Sequence, residues 1–130
     1  MGCLSSCFKR CSRIKFPQVY VLQLENNKYY VGESNNVDKR IKSHKKGNGS
    51  AWTRKYPVIR GEKPFTGPQK HLWELTETLE RIKLHGIDNV RGSMFTSPYP
   101  LKGHEKIMAA QLYCELKGLC RKCGSSEHFI

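Results

Sequence analysis

The sequence predicts an α/β fold in which a small three-stranded antiparallel sheet is flanked by helices. Two β-prone runs near the start of the chain are separated by a short polar turn, which is typical of a hairpin. Further along, apolar residues recur at spacings of three and four, which is typical of helices that pack one face on a core. A chain of 130 residues is long enough for one domain of this kind.

The predicted sheet begins with an apolar strand over residues 18–24, where Val, Tyr and Leu predominate. Residues 25–28 read Glu-Asn-Asn-Lys and predict a turn, after which the Tyr-Tyr-Val-Gly of residues 29–32 returns as the second strand. Val58 and Ile59 predict a short third strand. The first two strands therefore form a hairpin that begins the fold.

Two helices are expected to alternate with these strands. Asn35 or Asn36 is suited to cap a first helix that runs to about Lys46, because an Asn side chain accepts hydrogen bonds from the first amides of a helix. A second helix is expected to begin after Pro68 and to end at Gly86. Its inward apolar stripe comprises Leu72, Leu75, Leu79 and Ile82.

A third helix is expected from about His104 to Leu116, with Ile107, Met108 and Leu112 on its inward face. The chain as a whole divides into three zones. They are a basic, cysteine-rich arm over residues 1–16, a folded body over residues 17–112, and a cysteine/histidine tail over residues 113–130.

The chain carries a large excess of basic residues. Lys and Arg number 23 against 11 Asp and Glu, which gives a formal net charge of +12. Such an excess attracts polyanions, with nucleic acid as the first expectation and anionic membrane as the second. No run approaches the roughly 20 apolar residues that span a bilayer, and no secretory hydrophobic region is present. Charge alone does not decide between DNA, RNA and lipid.

The six cysteines lie in two groups at the ends of the chain, and none lies between Cys11 and Cys114. A disulfide-stabilised secreted domain would distribute its bridges through the core. The placement therefore predicts an intracellular protein in a reducing compartment, the cytoplasm or the nucleus, whose cysteines serve lipid and metal.

Four residues follow one another at regular intervals through the hairpin and the first helix. Tyr20 and Tyr30 lie ten residues apart, one in each strand. Arg40 comes ten residues later, and His44 lies one helical turn beyond it on the same face. Taken singly, the tyrosines are explained by cross-strand packing and the other two by a solvated helix face. Taken as an ordered series, the four residues indicate a functional site.

This series resembles the signature of the GIY-YIG nuclease family, in which a tyrosine in each strand of a hairpin precedes an arginine and a histidine on the next helix. The two motifs read Val-Tyr-Val at 19–21 and Tyr-Val-Gly at 30–32. Residues 47–56 are similar to the loop that follows this helix in small members of the family, and residues 86–92, Gly-Ile-Asp-Asn-Val-Arg-Gly, resemble a segment of the subgroup found in large DNA viruses and some eukaryotes. The resemblance covers about residues 17–95 and implies a GIY-YIG-like fold.

The resemblance implies a metal-dependent DNA endonuclease. In the family, two tyrosines and a neighbouring basic group activate water, an arginine holds the scissile phosphate, and one glutamate holds a divalent metal, Mg²⁺ or Mn²⁺. By position, Tyr20, Tyr30, Arg40 and His44 take the corresponding roles. Which tyrosine is the base stays open at this point.

The metal-binding glutamate is expected about 12 to 15 residues before an asparagine, here Asn89, which completes the catalytic set implied by the resemblance. Glu74 and Glu77 both satisfy this spacing. Glu74 is preferred because it borders the apolar stripe of the second helix, whereas Glu77 is expected on the solvated face. The chain departs from the family at Glu33, where a basic residue is common and where a carboxylate is expected to repel a phosphate.

The two ends carry further motifs. Cys120, Cys123 and His128 match three ligands of a CCHC zinc knuckle, a module that binds single-stranded nucleic acid. A fourth ligand is expected near position 133, about five residues after the histidine; otherwise Cys114 takes its place, or the site has decayed and the tail binds no zinc. At the other end, Gly2 lies in a myristoylation pattern, and Cys3 is a palmitoylation candidate beside basic residues suited to anionic lipid. This end of the chain is therefore either a site of peripheral membrane contact or a disordered basic arm that touches DNA.

The sequence therefore predicts a monomeric DNA endonuclease that is structure-selective and serves repair or recombination. Two alternatives remain open. One is a non-catalytic nucleic-acid-binding module with a vestigial active site and a zinc-knuckle tail. The other is a membrane-anchored adaptor whose basic charge serves lipid.

Overall fold

The sheet has four strands in the computed structural model, which describes residues 17–66 and 70–118. The strands are β1 (Gln18–Leu24), β2 (Lys28–Ser34), β3 (Val58–Gly61) and β4 (Val90–Gly92), in the order β3-β1-β2-β4. β1 pairs antiparallel with β2 and β3, and β4 pairs parallel with β2. The α/β prediction is confirmed, but the sheet is mixed rather than a three-stranded antiparallel one.

The missed strand, β4, is three residues long and contains the charged Arg91. A segment of this length shows no alternation of apolar and polar residues, so the sequence carries no strand signal there. Parallel pairing of β4 with β2 also requires a long connection, and residues 35–89, whose described part contains three helices and β3, supply it.

Among the described residues, four α-helices flank the sheet: α1 (Val37–Lys45), α2 (Ala51–Lys55), α3 (Lys70–His85) and α4 (Gly103–Lys117). Asn36 caps α1 as predicted, its Oδ1 accepting a hydrogen bond from the Lys39 amide at 3.2 Å. The five-residue α2 was not predicted, because it is too short to show helical periodicity. Within the described ranges, no helix combines the length and apolarity that a membrane span requires.

Alternation along the strands divides the core into two layers. Tyr20 and Leu22 of β1 pack with Trp52 on the face that α1 and α2 cover. Val19 and Val21 point to the opposite face, where Trp73 and Ile82 of α3 pack against the sheet. Because β1 and β2 pair Tyr20 with Gly32 and Leu22 with Tyr30, both tyrosines lie on the α1 face.

The inward face of α4 differs from the prediction. Ile107 and Met108 are 60% and 39% exposed, whereas Ala109 is buried and Leu112 and Tyr113 pack beside it. These three residues follow helical spacing, and the small Ala109 allows α4 to approach Leu79 and Phe95 closely. The prediction was right for Leu112 and wrong for Ile107 and Met108.

Candidate active site

A chain of buried hydrogen bonds joins the hairpin to the two short helices. The Tyr20 hydroxyl lies 2.9 Å from His44 Nε2, and His44 Nδ1 lies 2.9 Å from Thr53 Oγ1. Tyr20 and His44 are each 1% exposed, and Thr53 is 2% exposed. The chain therefore connects β1, α1 and α2 in an environment that excludes water.

The hydrogen-bond partners define the tautomer of His44. Thr53 donates its own hydroxyl proton to the Ser50 carbonyl at 3.0 Å, so Thr53 Oγ1 accepts from His44 Nδ1–H. His44 Nε2 consequently accepts from the Tyr20 hydroxyl. Burial, together with the nearby Arg40 cation, lowers the pKa of His44 to about 4. His44 is thus neutral near pH 7.

Tyr30 and Arg40 lie beside this chain. The Tyr30 ring centroid is 4.9 Å from that of His44 and 6.3 Å from that of Tyr20. Burial is the main cause that raises the pKa of both phenols. For Tyr30, Arg40 is the strongest opposing influence, and the Ser50 hydroxyl adds to it. For Tyr20, the neighbouring Tyr30 raises the pKa further. The surroundings of Tyr30 therefore favour loss of its phenol proton more than those of Tyr20 do.

Two glycines make room for the chain. A Cβ at Gly32 would lie 2.4 Å from the Tyr20 ring and hydroxyl, and a Cβ at Gly49 would lie 2.0 Å from His44 Nδ1. Both distances are far below van der Waals contact, and both neighbours are buried ring atoms that have no free space to move into. Positions 32 and 49 therefore require glycine, because their backbones lie in close contact with the Tyr20 and His44 side chains.

Gly49→Ala is expected to displace the His44 ring and to destabilise the protein by about 1–3 kcal/mol, the usual cost of overpacking a buried site. The matched control is Gly103→Ala, because the added Cβ at Gly103 meets nothing within 4 Å. That control lies at the start of α4 and is expected to leave stability equal or slightly higher. Urea unfolding measures both variants, and equal midpoints for the two would contradict the close approach.

The low pKa of His44 also predicts a pH dependence of stability. The unfolded chain binds a proton to this imidazole near pH 6.5, whereas the folded protein does so only near pH 4. Stability is therefore fully present above about pH 6.5 and declines by up to about 3 kcal/mol as the pH falls through 4. Urea unfolding at pH 7, 5.5 and 4 measures this decline, and His44→Gln should lose this contribution. An identical pH dependence in His44→Gln would contradict it.

Glu74 belongs to α3, the helix that packs on the opposite face of the sheet from α1, and its carboxyl group also influences the two tyrosines. Burial raises the pKa of the Glu74 carboxyl, the Glu33 carboxylate raises it further, and a hydrogen bond from the Ser93 amide opposes the rise. Glu74 in turn raises the pKa of both tyrosines, which places it within electrostatic reach of them. One carboxylate oxygen of Glu33, Oε2, is buried without a hydrogen-bond partner.

The carboxylates of Glu33 and Glu74 fit a hard divalent cation. Mg²⁺ typically takes one or two protein carboxylates and keeps several waters, so a larger ligand cluster is not needed. Among the described residues, no group of three or more His, Cys, Asp or Glu side chains is arranged to hold a metal. The orphaned Glu33 oxygen is the atom whose hydrogen-bonding capacity such a cation would satisfy.

Glu77 lies in a different environment from Glu74. It accepts a hydrogen bond from Arg81 Nε at 2.8 Å, and Arg81 also binds Glu62 through two contacts of 2.9 Å. The Glu77 side chain is 18% exposed rather than projecting into solvent as expected. It belongs to an ion network that ties α3 to the segment after β3.

Asn89 lies just before β4, and both the oxygen and the nitrogen of its side-chain amide are hydrogen-bonded there. Its Oδ1 accepts from Lys28 Nζ at 2.7 Å and its Nδ2 donates to the His85 carbonyl at 2.7 Å. These contacts connect the end of α3 to β2. They give Asn89 a structural task, and a catalytic role for it stays a prediction.

Sequence reasoning assigned no role to Ser50, Thr53 or Gly49. Their signal is local: Ser50 caps α2, its Oγ accepting from the Thr53 amide at 3.2 Å, and a Ser three residues before a Thr is a recognisable cap. The predicted zinc ligands Cys120, Cys123 and His128, and the predicted lipidation sites Gly2 and Cys3, lie outside the described residues.

The antiparallel hairpin with one tyrosine in each strand, followed by a helix that carries Arg40 and His44, defines a nuclease-type catalytic domain. The family model for the GIY-YIG catalytic domain matches residues 16–88, and the chain belongs to this family. The chain is also 30% identical over 81 residues to a UPF0213 protein from Halalkalibacterium halodurans, an alignment that covers 59% of this chain and 86% of that protein. No solved structure matches the chain. Membership of this family implies a nuclease-type function with DNA as substrate.

Proposed function

We propose that the protein is a divalent-metal-dependent endonuclease that hydrolyses one DNA strand per active site and selects branched or distorted DNA in repair or recombination. The observation that carries this proposal is the convergence of Tyr30, Arg40 and Glu74 on the buried Tyr20–His44 pair. These side chains supply three chemical groups that phosphodiester hydrolysis requires: a phenol to activate water, a guanidinium to hold the phosphate and a carboxylate to bind a cation.

Tyr30 accepts the proton of the attacking water in this proposal. It is more exposed than Tyr20, and Arg40 favours its phenolate more strongly than any other neighbour. In the resting site both phenols are protonated, because burial raises the pKa of each. Tyr30 must therefore first release its own proton to solvent, and a bound divalent cation would supply positive charge that favours the phenolate.

Tyr20 and His44 position the site. The hydrogen bond from the Tyr20 hydroxyl to neutral His44, with Thr53 behind it, fixes both rings against Tyr30. A rigid chain of hydrogen bonds holds the reacting group in one geometry, and a fixed geometry lowers the entropic part of the activation barrier.

Arg40 holds the scissile phosphate, because its exposed guanidinium presents a planar fork of donors beside the two phenols. Glu74 would hold the metal, and Glu33 would offer its buried oxygen to the same cation. A carboxylate after the motif glycine then serves the metal instead of repelling the phosphate.

The test is a nicking assay on supercoiled plasmid and on branched oligonucleotides, with Mg²⁺, with Mn²⁺ and with EDTA. The proposal predicts nicked products that require the metal and a preference for branched over linear DNA. A wild-type protein that binds these DNAs but never cuts them with either metal would instead support a non-catalytic binding module.

A further inference from the structure

A cleft lined by aromatic rings and cations opens beside the active site. Its volume is about 150 Å³, close to that of a cavity which holds one benzene-sized ring. Tyr56 and Tyr99 line it together with Lys28, Lys55 and Asp88, and Trp52 forms its inner wall. The Asp88 carboxylate is paired with Lys106 at 3.9 Å, which offsets its charge. No catalytic step described above uses these side chains.

The two lysines are held over the rings with donors to spare. Lys55 Nζ lies 5.5 Å from the Tyr56 ring centroid and 5.6 Å from the Tyr99 ring centroid, and Lys28 Nζ lies 5.3 Å from the Tyr56 centroid. Lys55 donates one hydrogen bond to the Pro98 carbonyl, and Lys28 donates one to Asn89. Since an ammonium has three donors, two remain on each lysine for an anion.

The exposed Tyr99 ring is carried on a loop with a fixed backbone. Arg91, which is 1% exposed, donates to the carbonyls of Ser97 at 2.8 Å and Tyr99 at 3.0 Å, and its guanidinium lies 4.4 Å from the Trp52 ring centroid. Further bonds from Arg91 reach the carbonyls of Ile87 and Val90. The Tyr99 side chain itself is 69% exposed. A large aromatic ring is thus presented to solvent on a loop that a buried cation holds in place.

The cleft adjoins the catalytic residues through α2. Trp52 contacts Tyr56 at 4.7 Å between ring centroids, and the next residue, Thr53, bonds to His44. Lys28 of the cleft also lies two residues before Tyr30, on the same face of β2, so the cleft borders the catalytic residues. Exposed aromatic rings with adjacent cations are the combination that binds unpaired bases and their phosphates.

We propose that this cleft binds an unpaired nucleotide of the DNA substrate, with the base stacked on Tyr99 and its phosphate held by Lys55 and Lys28. The proposal rests on the proposed nuclease function and specifies its substrate as DNA with an unpaired base next to the cut. A base inside a duplex has both faces stacked on its neighbours, so it cannot present a face to Tyr99.

The experiment measures binding in EDTA, so that cleavage plays no part. Full-length protein is titrated into a single-stranded oligonucleotide, a flapped duplex and a blunt duplex, each with 2-aminopurine as the reporter base. Tyr99→Ala is expected to weaken binding to the first two roughly 5- to 100-fold, the range for loss of one stacked base, and to leave the blunt duplex within about twofold. Tyr99→Phe is the matched control and should bind like wild type, because it retains the ring.

Lys55→Gln should lower the slope of log affinity against log salt by about 0.7 on single-stranded DNA, the value for one lost phosphate contact. Tyr99→Ala that binds every DNA like wild type, or that weakens binding to all three equally, would overturn the proposal. The two proposals fail separately. If the wild-type protein never cuts DNA but binds flapped DNA in a way that depends on Tyr99, the cleft proposal stands and the nuclease proposal fails. If the wild-type protein cuts DNA and Tyr99→Ala binds as wild type does, the nuclease proposal stands and the cleft proposal fails.

Discussion

Glu74→Gln is expected to lower the single-turnover cleavage rate by about 10³-fold or more. A bound cation contributes several kcal/mol to the stabilisation of charge on the reacting phosphate, and each 1.36 kcal/mol is a factor of ten in rate. Gln retains the shape of the side chain and removes the negative charge that attracts the metal. DNA affinity should stay within about twofold of wild type, because the basic surface supplies most of it. Cleavage kinetics and fluorescence anisotropy measure the two quantities.

Glu77→Gln is the matched control on the same helix. It removes the ion pair with Arg81 and should cost about 1 kcal/mol of stability or less, while the cleavage rate stays near that of wild type. A Glu77→Gln variant that does not cut, beside a Glu74→Gln variant that cuts normally, would move the metal to Glu77 and leave the family assignment intact.

The two tyrosines are expected to respond differently to loss of their hydroxyls. Tyr30→Phe should lower the cleavage rate by about 10²- to 10⁴-fold, the range for loss of a general base, with little change in stability. Tyr20→Phe should destabilise the protein by about 1–3 kcal/mol, because it leaves His44 Nε2 buried without a donor. Single-turnover rates and urea unfolding of both variants make the comparison.

The reverse result would contradict this division of labour. If Tyr20→Phe lost its activity while keeping wild-type stability, and Tyr30→Phe cut normally, Tyr20 would be the base. The chain from Tyr20 to Thr53 would then carry the proton away from the reaction instead of fixing the geometry of the site.

The sequence predicted the parts of the fold that have regular periodicity. The hairpin and the helix capped by Asn36 are short-range structures whose residues contact one another, so spacing alone locates them. The series from Tyr20 to His44 falls on these elements, and for that reason spacing alone predicted that Arg40 and His44 share one face of the helix.

What the sequence could not predict depends on long-range packing. β4 is defined by its pairing with β2, and the inward face of the last helix by how closely the small Ala109 allows that helix to approach its neighbours. The requirement for glycine at position 49 depends on the tertiary structure, because a Cβ added at Gly49 would lie 2.0 Å from the His44 ring. Likewise, the linear motif predicts that Glu33 repels a phosphate, whereas in the fold its carboxylate also acts electrostatically on Glu74.

The central claim is that Tyr30, Arg40 and Glu74 form one active site around the Tyr20–His44 pair. A crystal structure of Glu74→Gln bound to uncut branched DNA tests this most directly. We predict one backbone phosphate within hydrogen-bonding distance of the Arg40 guanidinium, facing the Tyr30 hydroxyl. A complex in which the DNA lies on another surface and leaves Arg40 and Tyr30 in solvent would contradict the account.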